Sequence, residues 1–105
     1  MLDISVHKIA QIILFGRELQ RGEAELRGFL ESLDEDEEAG LIAIMWIGRG
    51  TYEPAEYAEA VATARAEANT PTADYLIGTP NFVDHLETGL EALGLSAAED
   101  EETLL

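Results

Sequence analysis

The chain has 105 residues, no cysteine and a formal net charge of −16. This length suits one domain, and the lack of cysteine excludes disulfides, zinc–thiolate sites and cysteine nucleophiles. All of the net charge comes from residues 31–105, which contain eighteen acidic and two basic residues. Such a surface repels nucleic acid and anionic membranes and would attract a basic protein, but the need for solubility accounts for the same charge. We therefore expect neither a nucleic-acid nor a membrane partner, and a protein partner or a homodimer is one of two interpretations of the charge.

The N-terminus resembles no secretory signal, because Asp3 stands where a signal peptide carries positive charge. The longest apolar run, residues 41–47, is far shorter than the roughly 20 residues that span a bilayer. We therefore expect a cytoplasmic protein.

The first third of the chain predicts two helices. Asp3 or Ser5 can cap a first helix that runs to about Gln20, and Gly22 ends or bends it. A second helix over about residues 23–33 has one apolar stripe at helical spacing. The stripe consists of Leu26, Phe29, Leu30 and Leu33.

The third predicted helix is apolar on every face. Asp34 and Glu37 have the spacing of a capping box, and the run 41–47 that follows predicts a helix at the centre of a bundle. A buried strand is the competing interpretation of seven apolar residues. The cap upstream and Gly48 downstream favour a helix that ends at about Ile47.

Three more helices complete the prediction. An alanine-rich fourth helix begins at Pro54 and ends near Asn69. Thr70 and Thr79 each precede a proline, which predicts a capping hydroxyl and helices over about 71–77 and 80–93. The fold class is therefore all-α, a compact orthogonal bundle of five or six short helices over residues 1–96, followed by an acidic flexible tail over 97–105.

Two turn motifs lie in this pattern, Trp-x-Gly-Arg-Gly at residues 46–50 and Tyr-Leu-x-Gly-x-Pro at 75–80. With residues 2–6, 41–45, 72–74 and 84–90, they resemble a bacterial family of short acidic proteins catalogued as a domain of unknown function. The resemblance reaches about Ser96. Members often carry a longer acidic insert where this chain has only about residues 20–23. The resemblance implies the helical fold and brings no activity.

The sequence contains no recognisable catalytic or metal-binding motif. Residues 34–40 fail as a calcium loop, because Ala39 replaces the required glycine and Met45 the bidentate glutamate. His7 and His85 belong to no metal motif, so we expect surface or boundary positions for both. No serine lies in a nucleophile elbow, and no two carboxylates are marked as a catalytic pair. We expect no metal, no cofactor and no catalytic residue.

One candidate binding site remains around the third helix's C-terminal end. The candidate binding residues are Arg49, Trp46, Tyr52 and Tyr75. Arg49 is nearly alone as a cation in an acidic region, and arginine, tryptophan and tyrosine are enriched at binding hot spots. In the structural alternative, Arg49 caps carbonyls of the third helix or pairs with Glu53 or Glu56.

The leading hypothesis is a non-catalytic protein-interaction module that binds another protein or forms a homodimer. The alternative is a small-molecule or anion-binding protein, or a weak enzyme, that uses the Arg49 region. A third hypothesis is an acidic mimic of nucleic acid. A pocket that holds Arg49 and tyrosines favours the small ligand, whereas a flat apolar patch favours the interaction module.

Overall fold

The computed structural model describes residues 2–95, which form six α-helices and one short 3-10 turn and contain no strand. The helices are α1 (Val6–Arg17), α2 (Leu19–Glu31), α3 (Glu35–Arg49), α4 (Tyr57–Ala66), α5 (Thr72–Ile77) and α6 (Phe82–Ala92), and the 3-10 turn (Pro54–Glu56) precedes α4. The predicted all-α bundle of five or six helices is confirmed. The predicted tail lies outside the described residues.

Helix α3 lies at the centre of the bundle, and its residues 39–47 are all buried. Its N-terminus has the predicted capping box. The Glu37 N–H donates to Asp34 Oδ1 at 2.8 Å, and the Asp34 N–H donates to Glu37 Oε1 at 3.1 Å. The strand interpretation is therefore wrong. Because α3 is apolar all round, it packs against both α4 and α6.

The α3–α6 contact is a close approach of two backbones. A Cβ added to Gly48 would lie 1.7 Å from the His85 carbonyl oxygen, and one added to Gly89 would lie 2.2 Å from the Ile44 carbonyl oxygen. The prediction that α3 ends at about Ile47 is therefore wrong: Gly48 continues the helix and admits α6. The helix ends at Arg49 and is capped by Gly50, which has φ 90°.

The break between α1 and α2 lies at Glu18, with φ −111° and ψ 41°, and the prediction of a break at Gly22 is wrong. Gly22 lies inside α2, where an added Cβ would approach the Phe15 carbonyl oxygen to 3.4 Å. The α1 residues Ile9, Ala10, Ile12 and Ile13 are fully buried.

The predicted threonine caps are wrong. No side chain caps α5 or α6, whose N-cap residues are Pro71 and Asn81. The Thr79 hydroxyl instead donates to the Tyr75 carbonyl oxygen at 2.7 Å, which closes the end of α5. Helix α4 also stops earlier than predicted, at Ala66 and not near Asn69, because residues 67–71 turn away to reach α5.

Four of the six lysines and arginines join two helices by ion pairs. The pairs are Lys8 with Glu37, Arg17 with Glu87 at 2.7 Å, Arg27 with Asp74 at 2.7 Å, and Arg65 with Asp36. Exposed pairs of this kind contribute at most about 1 kcal/mol each. They nevertheless place the scarce positive charges where acidic helices meet.

Within residues 2–95, no helix combines the length and the apolar character needed to cross a membrane.

Candidate functional site

An aromatic cluster surrounds Trp46 near the C-terminal end of α3. The Trp46 ring stacks on Tyr52, with ring centroids 5.8 Å apart and planes 23° from parallel. Its Nε1 donates to the Tyr75 hydroxyl on α5 at 2.9 Å, and the Tyr52 hydroxyl donates to Thr63 Oγ1 on α4 at 3.2 Å. The structure thus brings together three of the four predicted binding residues.

Arg49, the fourth, lies in the last turn of α3 and is exposed. Its Nε donates to Thr51 Oγ1 at 3.1 Å. The carbonyls at the end of the helix accept from backbone instead, from the Gly50 N–H to Ile47 at 3.0 Å and from the Thr51 N–H to Trp46 at 2.9 Å, which is a Schellman motif. Neither structural role predicted for Arg49, carbonyl capping or pairing with Glu53 or Glu56, occurs within residues 2–95. Its binding role stays a prediction.

A cleft of about 560 Å³ opens between α3, the C-terminal end of α4, the connection over 67–71 and α5. Its lining residues are Glu35, Glu38, Ala39, Ile42, Trp46, Ala64, Arg65, Glu67, Ala68, Asn69, Thr70, Pro71, Thr72 and Tyr75. Trp46 and Tyr75 of the predicted site therefore form part of its wall. Arg49 and Tyr52 are not among the lining residues.

The lining of the cleft changes from acidic to apolar along α3. The α3 residues that line it are 35, 38, 39, 42 and 46, which follow one face of the helix. The face begins with Glu35 and Glu38, continues over small and aliphatic side chains and ends at Trp46. Arg65 is the cation of the lining, and it pairs with Asp36 on the first turn of α3.

Sequence reasoning missed this cleft and the position of Arg65. Residues 35, 38, 39, 42 and 46 form a helical stripe that can be read in the sequence, but α3 is apolar on its other faces too. The stripe therefore does not identify the open side. The opening depends on α4 ending at Ala66, which the alanine-rich sequence does not mark.

A second, more apolar groove of about 540 Å³ lies between the N-terminal residues, α4 and the end of α6. It is lined by Leu2, Ile4, Ser5, Val6, Tyr57, Leu93 and Leu95. The Tyr57 hydroxyl donates to Asp3 Oδ2 at 2.9 Å and accepts from the Asp3 N–H at 3.1 Å. Burial raises the pKa of Tyr57 to about 12, so the phenol is neutral at physiological pH.

The two histidines lie apart from the cleft. His7 is exposed and His85 is half-buried, which confirms their predicted surface or boundary positions. In the part of the chain that the structure describes, no group of three or more histidine or acidic side chains could hold a metal ion.

A comparison with known protein families gives a match over most of the chain. A sequence model of the family described as "Protein of unknown function (DUF3775)" matches residues 23–95, more than half of the chain. The chain belongs to this family. The matched range contains every residue that lines the cleft, whereas α1 precedes it. No curated protein and no solved structure matches the chain.

Proposed function

We propose that the protein is a non-catalytic protein-interaction module that holds a segment of a partner protein in the cleft between α3, α4 and α5. The observation that carries this proposal is the position of Trp46 and Tyr75. Both form the wall of an open cleft and are joined to each other by a hydrogen bond. Tryptophan and tyrosine in a partly desolvated hollow are the residues that most often anchor protein interfaces.

The length of the cleft supports a polypeptide occupant. The face of α3 that lines it runs from Glu35 to Trp46, which corresponds to about 16 Å at 1.5 Å per residue. A hollow of this length accommodates about three turns of a helix or about five extended residues. Grooves of this kind bind partner segments in helical or extended form.

We assign Arg49 and Tyr52 to the rim of the cleft, next to its Trp46 end. Arg49 is one helical turn beyond Trp46, and Tyr52 stacks on the same ring. Beyond its Nε contact with Thr51, the Arg49 guanidinium has no hydrogen-bond partner within residues 2–95. A partner that extends past the aromatic end of the cleft would meet this exposed guanidinium.

Blocking the cleft tests the proposal. Ala68 lines the cleft, whereas Ala66 is exposed and does not. Partners captured by the wild-type protein from its native cells should be retained by Ala66→Phe and lost by Ala68→Phe. If the only protein recovered with the tagged bait is a second, untagged copy of the same chain, the occupant is that second copy. A partner bound equally by all three proteins would contradict the cleft as the binding site.

A small molecule is the second candidate occupant, because about 560 Å³ falls within the range of ligand pockets, roughly 300–1,000 Å³. Thermal shift against a metabolite library distinguishes the two. A compound that stabilises the wild-type protein and Ala66→Phe but not Ala68→Phe would favour the small ligand.

We also propose that the turns at 46–50 and 75–80 and the acidity are family features, and that the family is bacterial.

A further inference from the structure

We infer that the segment bound in the cleft is basic at one end and apolar at the other, with its basic end at Glu35 and Glu38 and its apolar end at Trp46. This inference rests on the proposed function and adds to it the chemistry and the placement of the partner segment.

The acidic end of the cleft contains carboxylates that have no ion-pair partner among residues 2–95. In the acidic run 35–38, Asp36 and Glu37 are paired with Arg65 and Lys8. Glu35 and Glu38 line the cleft and make no ion pair within residues 2–95, and the same holds for Glu67. The run is thus divided into two paired carboxylates and two unpaired ones that border the cleft.

The opposite end of the cleft favours apolar side chains. Towards this end the lining face of α3 continues with Ile42 and then Trp46, and Tyr75 of α5 lies beside the Trp46 ring. The one N–H of the Trp46 ring is already bound by the Tyr75 hydroxyl. This wall therefore requires no polar donor or acceptor from the occupant to satisfy that buried indole N–H.

An acidic occupant is disfavoured. The lining has three glutamates and one cation, and the guanidinium of that cation, Arg65, is already held by Asp36. An anion would have to displace Asp36 and face Glu35, Glu38 and Glu67. A lysine or arginine of a partner would meet complementary charge without displacing any pair.

A random 12-residue peptide library displayed on phage tests the inference, with the wild-type full chain as bait at physiological salt. Counter-selection removes the peptides that also bind Ala68→Phe, so the remaining peptides require an open cleft for binding. We expect the selected peptides to carry lysine or arginine towards one end and large apolar residues towards the other. Trp46 is the chain's single tryptophan, so tryptophan-free peptides can be titrated by its fluorescence.

Matched charge variants then locate the basic end. Glu35→Gln/Glu38→Gln should weaken a selected peptide by about five-fold, as expected for losing two exposed ion pairs. Glu25→Gln/Glu31→Gln changes the net charge equally at exposed α2 positions that do not line the cleft, and it should weaken binding by less than about two-fold. This difference is the result that supports the inference.

The failures of the inference and of the proposed function are distinguishable. Selected peptides without basic enrichment, or equal weakening by the two double variants, would overturn the inference and leave the cleft as a docking site. A library that yields no peptide dependent on an open cleft would overturn both.

Discussion

Helix α3 has two long sides that are built differently. On the α6 side, Gly48 and Gly89 bring two backbones into direct contact, with no room for a single methyl group. On the α4 side, small side chains such as Ala64 and Ala68 do not fill the space, and a cleft of about 560 Å³ remains. One buried helix thus forms a closed contact and an open one.

The difference between the two sides of α3 suggests that one side determines stability and the other determines recognition. On the closed side, the fit is between backbones, which cannot move aside independently, so substitutions there act on folding. On the open side, a hollow remains beside a tryptophan, so substitutions there should cost less stability than those on the closed side, and those that change the cleft should also act on binding. The predictions below test this division, from the largest expected effect to the smallest.

Gly48→Ala should give the largest loss of stability. Its Cβ would lie 1.7 Å from the His85 carbonyl oxygen, so α3 and α6 must separate, at a cost of about 3 kcal/mol or more. Urea unfolding measures it. Gly28→Ala is the matched control, because nothing lies within 4 Å of its added Cβ. It should stabilise α2 by about 0.5–1 kcal/mol, since alanine is the better helix former. Similar values for both variants would refute the closed contact.

Tyr75→Phe should give an intermediate effect on the open side. The change removes the acceptor for Trp46 Nε1 and leaves a buried N–H unsatisfied, which costs about 1–3 kcal/mol. Urea unfolding followed by tryptophan fluorescence reports both stability and the environment of Trp46. Tyr52→Phe is the control, since it keeps the ring stack and removes only a hydroxyl that contacts Thr63. It should cost less than Tyr75→Phe.

The sequence was sufficient to predict the fold class. The Asp34 and Glu37 capping box and the run 41–47 correctly predicted the buried central helix, because both signals are local. The glycine positions were misread. Gly22 and Gly48 predict breaks, yet both lie inside helices, and at Gly48 the backbone of α6 passes too closely for a side chain. A close approach is a tertiary property, and local rules assign the same residue to a turn.

The candidate site was predictable in part. Trp46, Tyr52 and Tyr75 were predicted as binding residues from residue type and spacing, and the structure brings them into one cluster. The cleft beside them was not predicted, because it depends on where α4 ends and on how the connection over residues 67–71 reaches α5. Both are set by how distant segments meet.

Glu37 should give a small, pH-dependent effect that distinguishes the paired from the unpaired acids. The hydrogen bond from Lys8, followed by that from the Asp34 N–H, lowers the pKa of Glu37 below its ordinary value of 4.5. A lowered folded-state pKa stabilises the protein above the unfolded value, and the effect is lost as pH falls through the folded value. Glu37→Gln keeps a capping box and removes the ion pair.

The stability difference between wild type and Glu37→Gln should therefore be about 0.5 kcal/mol at pH 7. It should shrink as pH falls below the unfolded-state pKa of about 4.3 and vanish below the lowered pKa of folded Glu37. Urea unfolding across pH 3–7 measures it. Glu35→Gln, which removes an unpaired carboxylate from the same turn, should show a smaller difference. Equal pH profiles for the two variants would mean that Lys8 adds nothing to Glu37.

Arg49→Ala should have the smallest effect on stability, within about 0.5 kcal/mol. Backbone amides already satisfy the end of α3, and Arg49 contacts only the Thr51 hydroxyl within the described residues. The matched control is Arg21→Ala, which removes another exposed cation that has no ion pair in residues 2–95. The two variants should unfold alike in urea.

If Arg49 belongs to the rim of the docking site, Arg49→Ala should nevertheless weaken partner capture while Arg21→Ala does not. Arg49→Lys should recover only part of that binding, because lysine keeps the charge and loses the planar fork. A loss of stability above about 1 kcal/mol in Arg49→Ala alone would instead show that Arg49 stabilises the C-terminal end of α3.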